Sequence, residues 1–160
     1  MDQLWAPWRL AYAKLQAPKQ DDECFVCRGV RETADRENLI VFRSEHSVVC
    51  LNKFPYNNGH LLVCPKAHKG QLDELTEAEL LDSQLVLRRM IAVLKTAVNP
   101  DGFNVGLNLG KAAGAGVPGH LHWHIVPRWN GDTNFMPIFA DVKVIVQSLD
   151  SLWELLTNPG

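Results

Sequence analysis

Three of the six histidines in this chain stand on alternate positions, His120, His122 and His124, with Leu121 and Trp123 between them and Ile125-Val126 after them. Near pH 7 an imidazole can act as nucleophile, proton donor or metal ligand, and which it does depends on what holds its second nitrogen. Alternation is the period of a β-strand that buries one face and presents the other, so the three rings are expected on one presented face. At a rise of roughly 3.3 Å per residue, His120 and His124 would lie about 13 Å apart along the backbone, too far for one metal to be held by the whole row. The three rings must therefore have different tasks. The plainer reading is an edge strand showing idle histidines to solvent, but histidine has little preference for strands and three in register are uncommon by chance.

Two further groups have chemical reach. Cys24 and Cys27 are spaced to offer two sulfurs to one zinc ion, which then needs two more ligands; two packed thiols without metal are the alternative. The run from Gly110 through Gly114 and Gly116 to Gly119 can turn successive backbone N–H groups into an anion nest, with Asn108 adding a side-chain amide. Many glycine loops merely turn the chain, and this one lacks the lysine-serine ending of a triphosphate-binding loop.

The elements that must position these groups are legible in part. Leu39 to Phe42 and Ser47 to Asn52 read as two strands around a polar turn, and His60 to Pro65 reads as a third, stopped where proline removes a ladder donor. Thr76-Glu77-Ala78-Glu79 has capping-box spacing and opens one long helix, with Leu80, Leu81, Leu85, Ile91 and Leu94 at helical intervals, closing before Asn99-Pro100. Phe103 to Leu109 is strand-like, the glycine loop follows, and the histidine strand comes next. Antiparallel strands before and after one helix predict an α+β fold. Residues 1–20, with Trp5, Trp8 and Tyr12, read as an N-terminal arm packed on a body of residues 21–160, the whole forming one domain.

Composition narrows the partners. With 160 residues, 46% hydrophobic content and a formal net charge of −2, the chain has a core but no general field to attract nucleic acid or a membrane surface. A small anionic ligand held by local groups is the expected partner. No apolar run approaches the roughly 18 residues that cross a bilayer, and the first residues lack a basic and apolar leader, so a cytoplasmic protein is expected. Cys50 and Cys64 fall in apolar strands where reduced thiols pack well, and no disulfide is expected.

His120-Leu121-His122-Trp123-His124-Ile125-Val126 resembles the signature of the histidine triad family, and Asn52, Phe54-Pro55, Gly59-His60-Leu61-Leu62-Val63 and Pro65-Lys66-Ala67-His68 resemble its upstream segment. Leu4 to Arg9 with Tyr12, Phe103 to Gly110, and Arg128 through Asp132-Thr133-Asn134-Phe135 are most similar to the bacterial branch described as diadenosine tetraphosphate phosphorylases. The resemblance implies a nucleotidyl transferase or hydrolase acting on dinucleoside polyphosphates, with His122 attacking the α-phosphate to form a covalent nucleotidyl-histidine and His124 beside the phosphates. It implies Asn52 and His60 near the ribose and phosphates. It also implies a structural zinc on Cys24, Cys27, His68 and His120, and a homodimer. Where relatives carry Ser, Thr or Gln ahead of the first histidine this chain has Gly116 and Val117, so the acceptor must be held by backbone donors with His124, Asn108 and Lys111. Three alternatives stay open: hydrolysis of a nucleoside phosphoramidate, a nucleotide-binding sensor without catalysis, and a catalytic zinc hydrolase using His120 and His122 as a ligand pair.

Overall fold

The structure is a computed structural model describing residues 24–133 and 144–158. The expected N-terminal arm, with Trp5, Trp8 and Tyr12, and the Asn134-Phe135 pair lie outside the described residues. The chain runs through helix α1 (Phe25–Arg31), strands β1 (Ile40–Arg43), β2 (Ser47–Leu51) and β3 (Leu61–Pro65), helix α2 (Glu77–Val98), strands β4 (Gly102–Leu107) and β5 (Trp123–Arg128), and helix α3 (Leu149–Thr157). The strands form one antiparallel sheet in the order β1-β2-β3-β5-β4. The α+β expectation holds, with short α1 and α3 added to the one long helix.

Helix α2 begins as its sequence predicts. Thr76 Oγ1 accepts the Glu79 N–H at 3.3 Å, and Glu79 Oε2 accepts the Thr76 N–H at 2.7 Å, which satisfies two donors that a helix start leaves over. Asn99 closes it in the left-handed region, and Pro100 cannot continue it. Of the apolar positions at helical intervals, Leu94 and Ile91 pack in the core and the others do not. Ser83, Val86, Leu87, Met90 and Leu94 go inside, whereas Leu80, Leu81 and Leu85 are exposed. Apolar residues run around more than one face of this helix, and contact with the sheet, not periodicity alone, selects the inner one.

That inner face joins Val49, Leu51, Leu61, Val63, Leu121, Trp123 and Ile125 in the main core, closed at one side by Leu152 and Leu156 of α3. Each fully buried large side chain here, such as Leu61, Leu94 or Ile125, contributes about 1.5–3 kcal/mol. On the opposite sheet face, Val26 of α1 packs with Ile40, Val48, Cys50, Leu62 and Cys64, and the burial of both cysteines agrees with their apolar strands. Arg43 fastens α1 to β1 by donating to the Gly29 and Glu32 carbonyls at 2.7 and 2.9 Å while pairing with Asp35 at 2.6 Å. The main core thus lies on one face of the sheet, and α1 covers part of the other.

The histidine stretch departs from the sequence reading in one respect. Alternation holds, since Leu121, Trp123 and Ile125 enter the main core, but ladder pairing starts only at Trp123, so His120 and His122 precede the strand. Their backbone groups are engaged elsewhere. The His120 N–H donates to Val117, the Leu121 N–H to the Lys69 carbonyl at 2.7 Å, and the His120 carbonyl accepts from the His122 ring. Nor are these rings displayed to solvent, because His120 and His122 are both buried.

Candidate functional site

His122 lies in the extended segment that leads into β5. Its Nδ1–H donates to the His120 carbonyl at 2.8 Å, which leaves Nε2 as the nitrogen with the lone pair. Burial pushes this imidazole below the usual histidine range, which favours its neutral form. A neutral ring with one nitrogen tied to a carbonyl is the form that can attack an electrophile.

His124, on β5, stands opposite Leu62 of β3 and opposite Gly106 of β4. Its ring meets His122 edge-on at 5.0 Å and lies nearly parallel to Tyr56 at 5.6 Å. His124 Nδ1 is 2.9 Å from His60 Nε2, and His60 Nδ1 accepts the Tyr56 backbone N–H at 2.9 Å, with the Asn52 amide nitrogen 3.3 Å away. Burial, and then the neighbouring His122, push His124 down to about 4. Asn52 and His60, assigned to the site by resemblance, therefore converge on His124. By the β4–β5 register Asn108, one residue beyond Leu107, comes opposite His122, and its amide lies 3.9 Å from where a Cβ on Gly114 would stand.

The glycine loop offers fewer donors than its sequence suggested. The N–H groups of Ala113, Gly114 and Ala115 bond to the Gly110 and Lys111 carbonyls inside the loop. The nest expected over the whole run thus narrows to the segment from Gly116 and Val117 onward. Gly116 is exposed, and a Cβ there would meet nothing within 4 Å. Asp132 is engaged in a latch: it accepts from Arg128 at 2.6 and 2.8 Å and from Asn57 at 2.7 Å, and the Arg128 pairing holds its carboxyl far below the usual range.

A second cluster sits at the other end of the histidine stretch. The ligand atoms of Cys24, Cys27, His68 and His120 all lie within 4.8 Å of one another. His120 Nε2–H donates to the Pro65 carbonyl at 2.8 Å, which turns Nδ1 toward Cys24 Sγ at 3.2 Å and Cys27 Sγ at 3.6 Å, while His68 Nδ1 is 3.1 Å from Cys27 Sγ. Burial opposes ionisation of Cys24, but the hydrogen bond with His120, the backbone N–H groups of Cys27 and Val26 and the charge of His120 together outweigh it and bring the thiol down to about 6. Two sulfurs, two imidazole nitrogens and a carbonyl that sets the tautomer of one of them match a closed tetrahedral zinc site. His122 is not among the four, and its Nδ1 is engaged with the His120 carbonyl.

Sequence reasoning missed three contributors, namely the Pro65 carbonyl, the Lys69 carbonyl and the Tyr56 ring and N–H. Main-chain groups leave no trace in residue type, but Tyr56 lies between Pro55 and the asparagine-glycine turn, four residues before His60, where an aromatic beside the site was open to notice. His120 is the hinge between the clusters. One ring nitrogen faces the sulfurs, and its carbonyl holds His122.

A family model described as HIT domain matches residues 33–131. The chain is 38% identical over 163 aligned residues to an AP-4-A phosphorylase of Mycobacterium tuberculosis, covering 99% of this chain and 84% of that protein. It is similar to a crystal structure of a hypothetical histidine triad nucleotide-binding protein from Sulfolobus tokodaii, with a TM-score of 0.65 at 33% identity over 84% of this chain and 87% of that one. A Zn-bound histidine triad family protein from Mycobacterium smegmatis gives a TM-score of 0.67 at 26% identity, covering 85% of this chain and 91% of that one.

Proposed function

The chain belongs to the HIT domain family, and from that premise we propose that it is an enzyme that splits dinucleoside polyphosphates such as diadenosine tetraphosphate by transferring a nucleotidyl group to inorganic phosphate. The observation that carries the reading is the His122 ring itself, neutral, with Nδ1–H bound to a backbone carbonyl and Nε2 left with its lone pair. Attack of Nε2 on the α-phosphorus forms a P–N bond and breaks the P–O bond to the nucleoside polyphosphate, which departs with the electron pair. A phosphate oxygen then attacks the same phosphorus, the P–N bond breaks, and His122 is regenerated. From diadenosine tetraphosphate and phosphate the products are ATP and ADP.

The remaining residues position and stabilise. Hydrogen-bond donors aimed at the crowded phosphate, from His124, the Asn108 amide and the backbone after Gly116, stabilise charge that grows in the transition state. Asn52 and His60 hold His124 in place. A small apolar hollow bounded by Phe25, Val26, Ile40, Val48 and Cys50 adjoins the face that carries Leu62, the partner of His124 in the ladder. Cys24, Cys27, His68 and His120 would hold a zinc ion, which when bound supplies a structural cross-link between α1 and the catalytic stretch. The exposed Leu80, Leu81 and Leu85 on α2 offer apolar area to a second copy of the chain, in keeping with a homodimer.

Near-full-length similarity to an AP-4-A phosphorylase favours phosphate as acceptor. Diadenosine tetraphosphate incubated with and without inorganic phosphate, with products resolved by chromatography, tests this. ADP and ATP appearing only with phosphate are expected. AMP and ATP at a rate indifferent to phosphate would make the protein a hydrolase, and no turnover at all would leave a binding protein.

A further inference from the structure

Gly106 has no reason within the fold to be glycine. It lies inside β4, where glycine forms strand poorly, and its φ is outside the left-handed region that would call for it. A Cβ built there meets nothing within 4 Å among the described residues, so packing does not call for it either. Gly59 is the contrast, with a φ of +73° and a Cβ that would press on Pro127 at 3.0 Å. A strand glycine that neither conformation nor packing explains marks a place where another molecule comes close to the backbone.

Its place in the sheet identifies that molecule. Residues opposite each other in an antiparallel ladder stand on the same face, and Gly106 is opposite His124. The same face of β4 carries Asn104 and Asn108, two residues to either side. Toward β3 this face is filled. Leu62, the other ladder partner of His124, lies in the cluster that Val26 of α1 covers, and the rings of His60 and Tyr56 pack against the His124 ring. Toward β4 it is open, since Asn104 and Gly106 are exposed. A ligand held at His122 that reaches past His124 therefore has its way out across Gly106.

We propose that Gly106 is a specificity-determining residue: its bare backbone leaves a passage beside His124 for the part of the substrate beyond the attacked phosphate, the remaining phosphates and the second nucleoside. The proposal rests on the dinucleoside polyphosphate reading above and adds the residue that admits the second half of that substrate. A side chain at position 106 would place its Cβ about 5 Å from that of His124, in the passage itself. The row beside it suits a polyphosphate. Asn104 Oδ1 accepts from Arg128 at 2.7 Å, which leaves the Asn104 amide nitrogen as a donor, and the positions on this face of β4 (Gly102, Asn104, Gly106 and Asn108) carry no carboxylate to repel an anion.

Binding measured by titration calorimetry tests the passage whatever reaction the enzyme performs. The probes are AMP and a diadenosine tetraphosphate whose outer bridging oxygens are replaced by methylene, so that it is not split. Gly106→Val puts a residue that favours strands where no neighbour stands, and should keep the native Tm or raise it. It should weaken the diadenosine probe about tenfold or more while AMP changes less than about twofold, and Gly106→Ala should fall between native and valine. Equal weakening of both probes, or of neither, overturns the proposal, as does native protein that binds AMP as tightly as the diadenosine probe. A Tm several degrees below native would show that the glycine serves packing, which overturns it too. Native protein that binds neither probe would instead sink the dinucleoside polyphosphate reading, and the passage with it.

Discussion

Gly70→Ala tests the packing that holds the histidine segment. A Cβ at Gly70 would stand 2.8 Å from the Pro118 carbonyl oxygen and 3.3 Å from the Gly119 Cα, and both neighbours are backbone, so no rotamer change relieves the clash. Carbon–oxygen contacts relax near 3.3 Å, so residues 118–119 must retreat by about half an ångström. That displacement passes directly to His120, whose carbonyl holds His122 Nδ1. Overpacking of this kind costs about 1–3 kcal/mol, which corresponds to a Tm lower by roughly 2–12 °C for a chain of this size. Because an ångström of misplacement can cost about a hundredfold in rate, half of that should lower kcat about tenfold. Gly119→Ala meets only the His68 ring, at 3.4 Å, and should cost less; Gly116→Ala meets nothing within 4 Å and serves as the stability control. Thermal melts and diadenosine tetraphosphate turnover measure both effects. Equal Tm values for Gly70→Ala and Gly116→Ala would refute the reasoning.

If the four-ligand cluster holds zinc, protein purified without chelator should contain close to one zinc per chain, and Cys24→Ser should lose the metal and lower Tm more than it lowers the rate per folded molecule. Metal-free protein of equal stability would count against it. The hydrogen bond from Lys69, and then the Thr76 N–H, hold the Glu79 carboxyl down at about 2 in the folded state. A depressed carboxyl adds stability above its unfolded value that is lost as the pH falls through the folded one, so the native protein should lose more stability than Glu79→Gln between pH about 4.5 and 2. Parallel denaturation curves across that window would remove the linkage. Sedimentation should give a species near twice the 18.0 kDa chain mass, and Leu81→Lys, on the exposed face of α2, should shift it toward the monomer. A native monomer at micromolar concentration would contradict the dimer.

The long helix was legible because its start and stop are local chemistry: a threonine three residues before a glutamate, and an asparagine-proline pair at the end. Strands β1 to β4 were found within one or two residues, since Val, Ile and Leu runs bounded by turn residues carry the signal themselves. Helix α3 was missed although Leu149, Leu152, Trp153 and Leu156 follow helical spacing behind the N-cap Ser148. Helix α1 is only seven residues long, and its position depends on Arg43 and on the apolar patch it covers, neither of which is adjacent in sequence. Which face of α2 turns inward was not legible, because leucines stand on both sides of the helix. At the candidate site, the residues that the fold brings together were visible and their hydrogen-bond partners were not. Which nitrogen of each histidine bears the proton follows from the Pro65 and His120 carbonyls and the Tyr56 N–H, main-chain groups brought there by the fold.

The covalent step is the centre of this account, and trapping it is the most direct test. Enzyme mixed with diadenosine tetraphosphate in the absence of phosphate, quenched in alkali within a turnover and digested, should yield one peptide bearing a single adenylyl group on His122. The adduct should vanish, with release of ADP, when phosphate is added before the quench. An adenylyl group on another residue, or turnover by His122→Ala with more than about a tenth of the native kcat, a barrier change of less than about 1.4 kcal/mol, would contradict it.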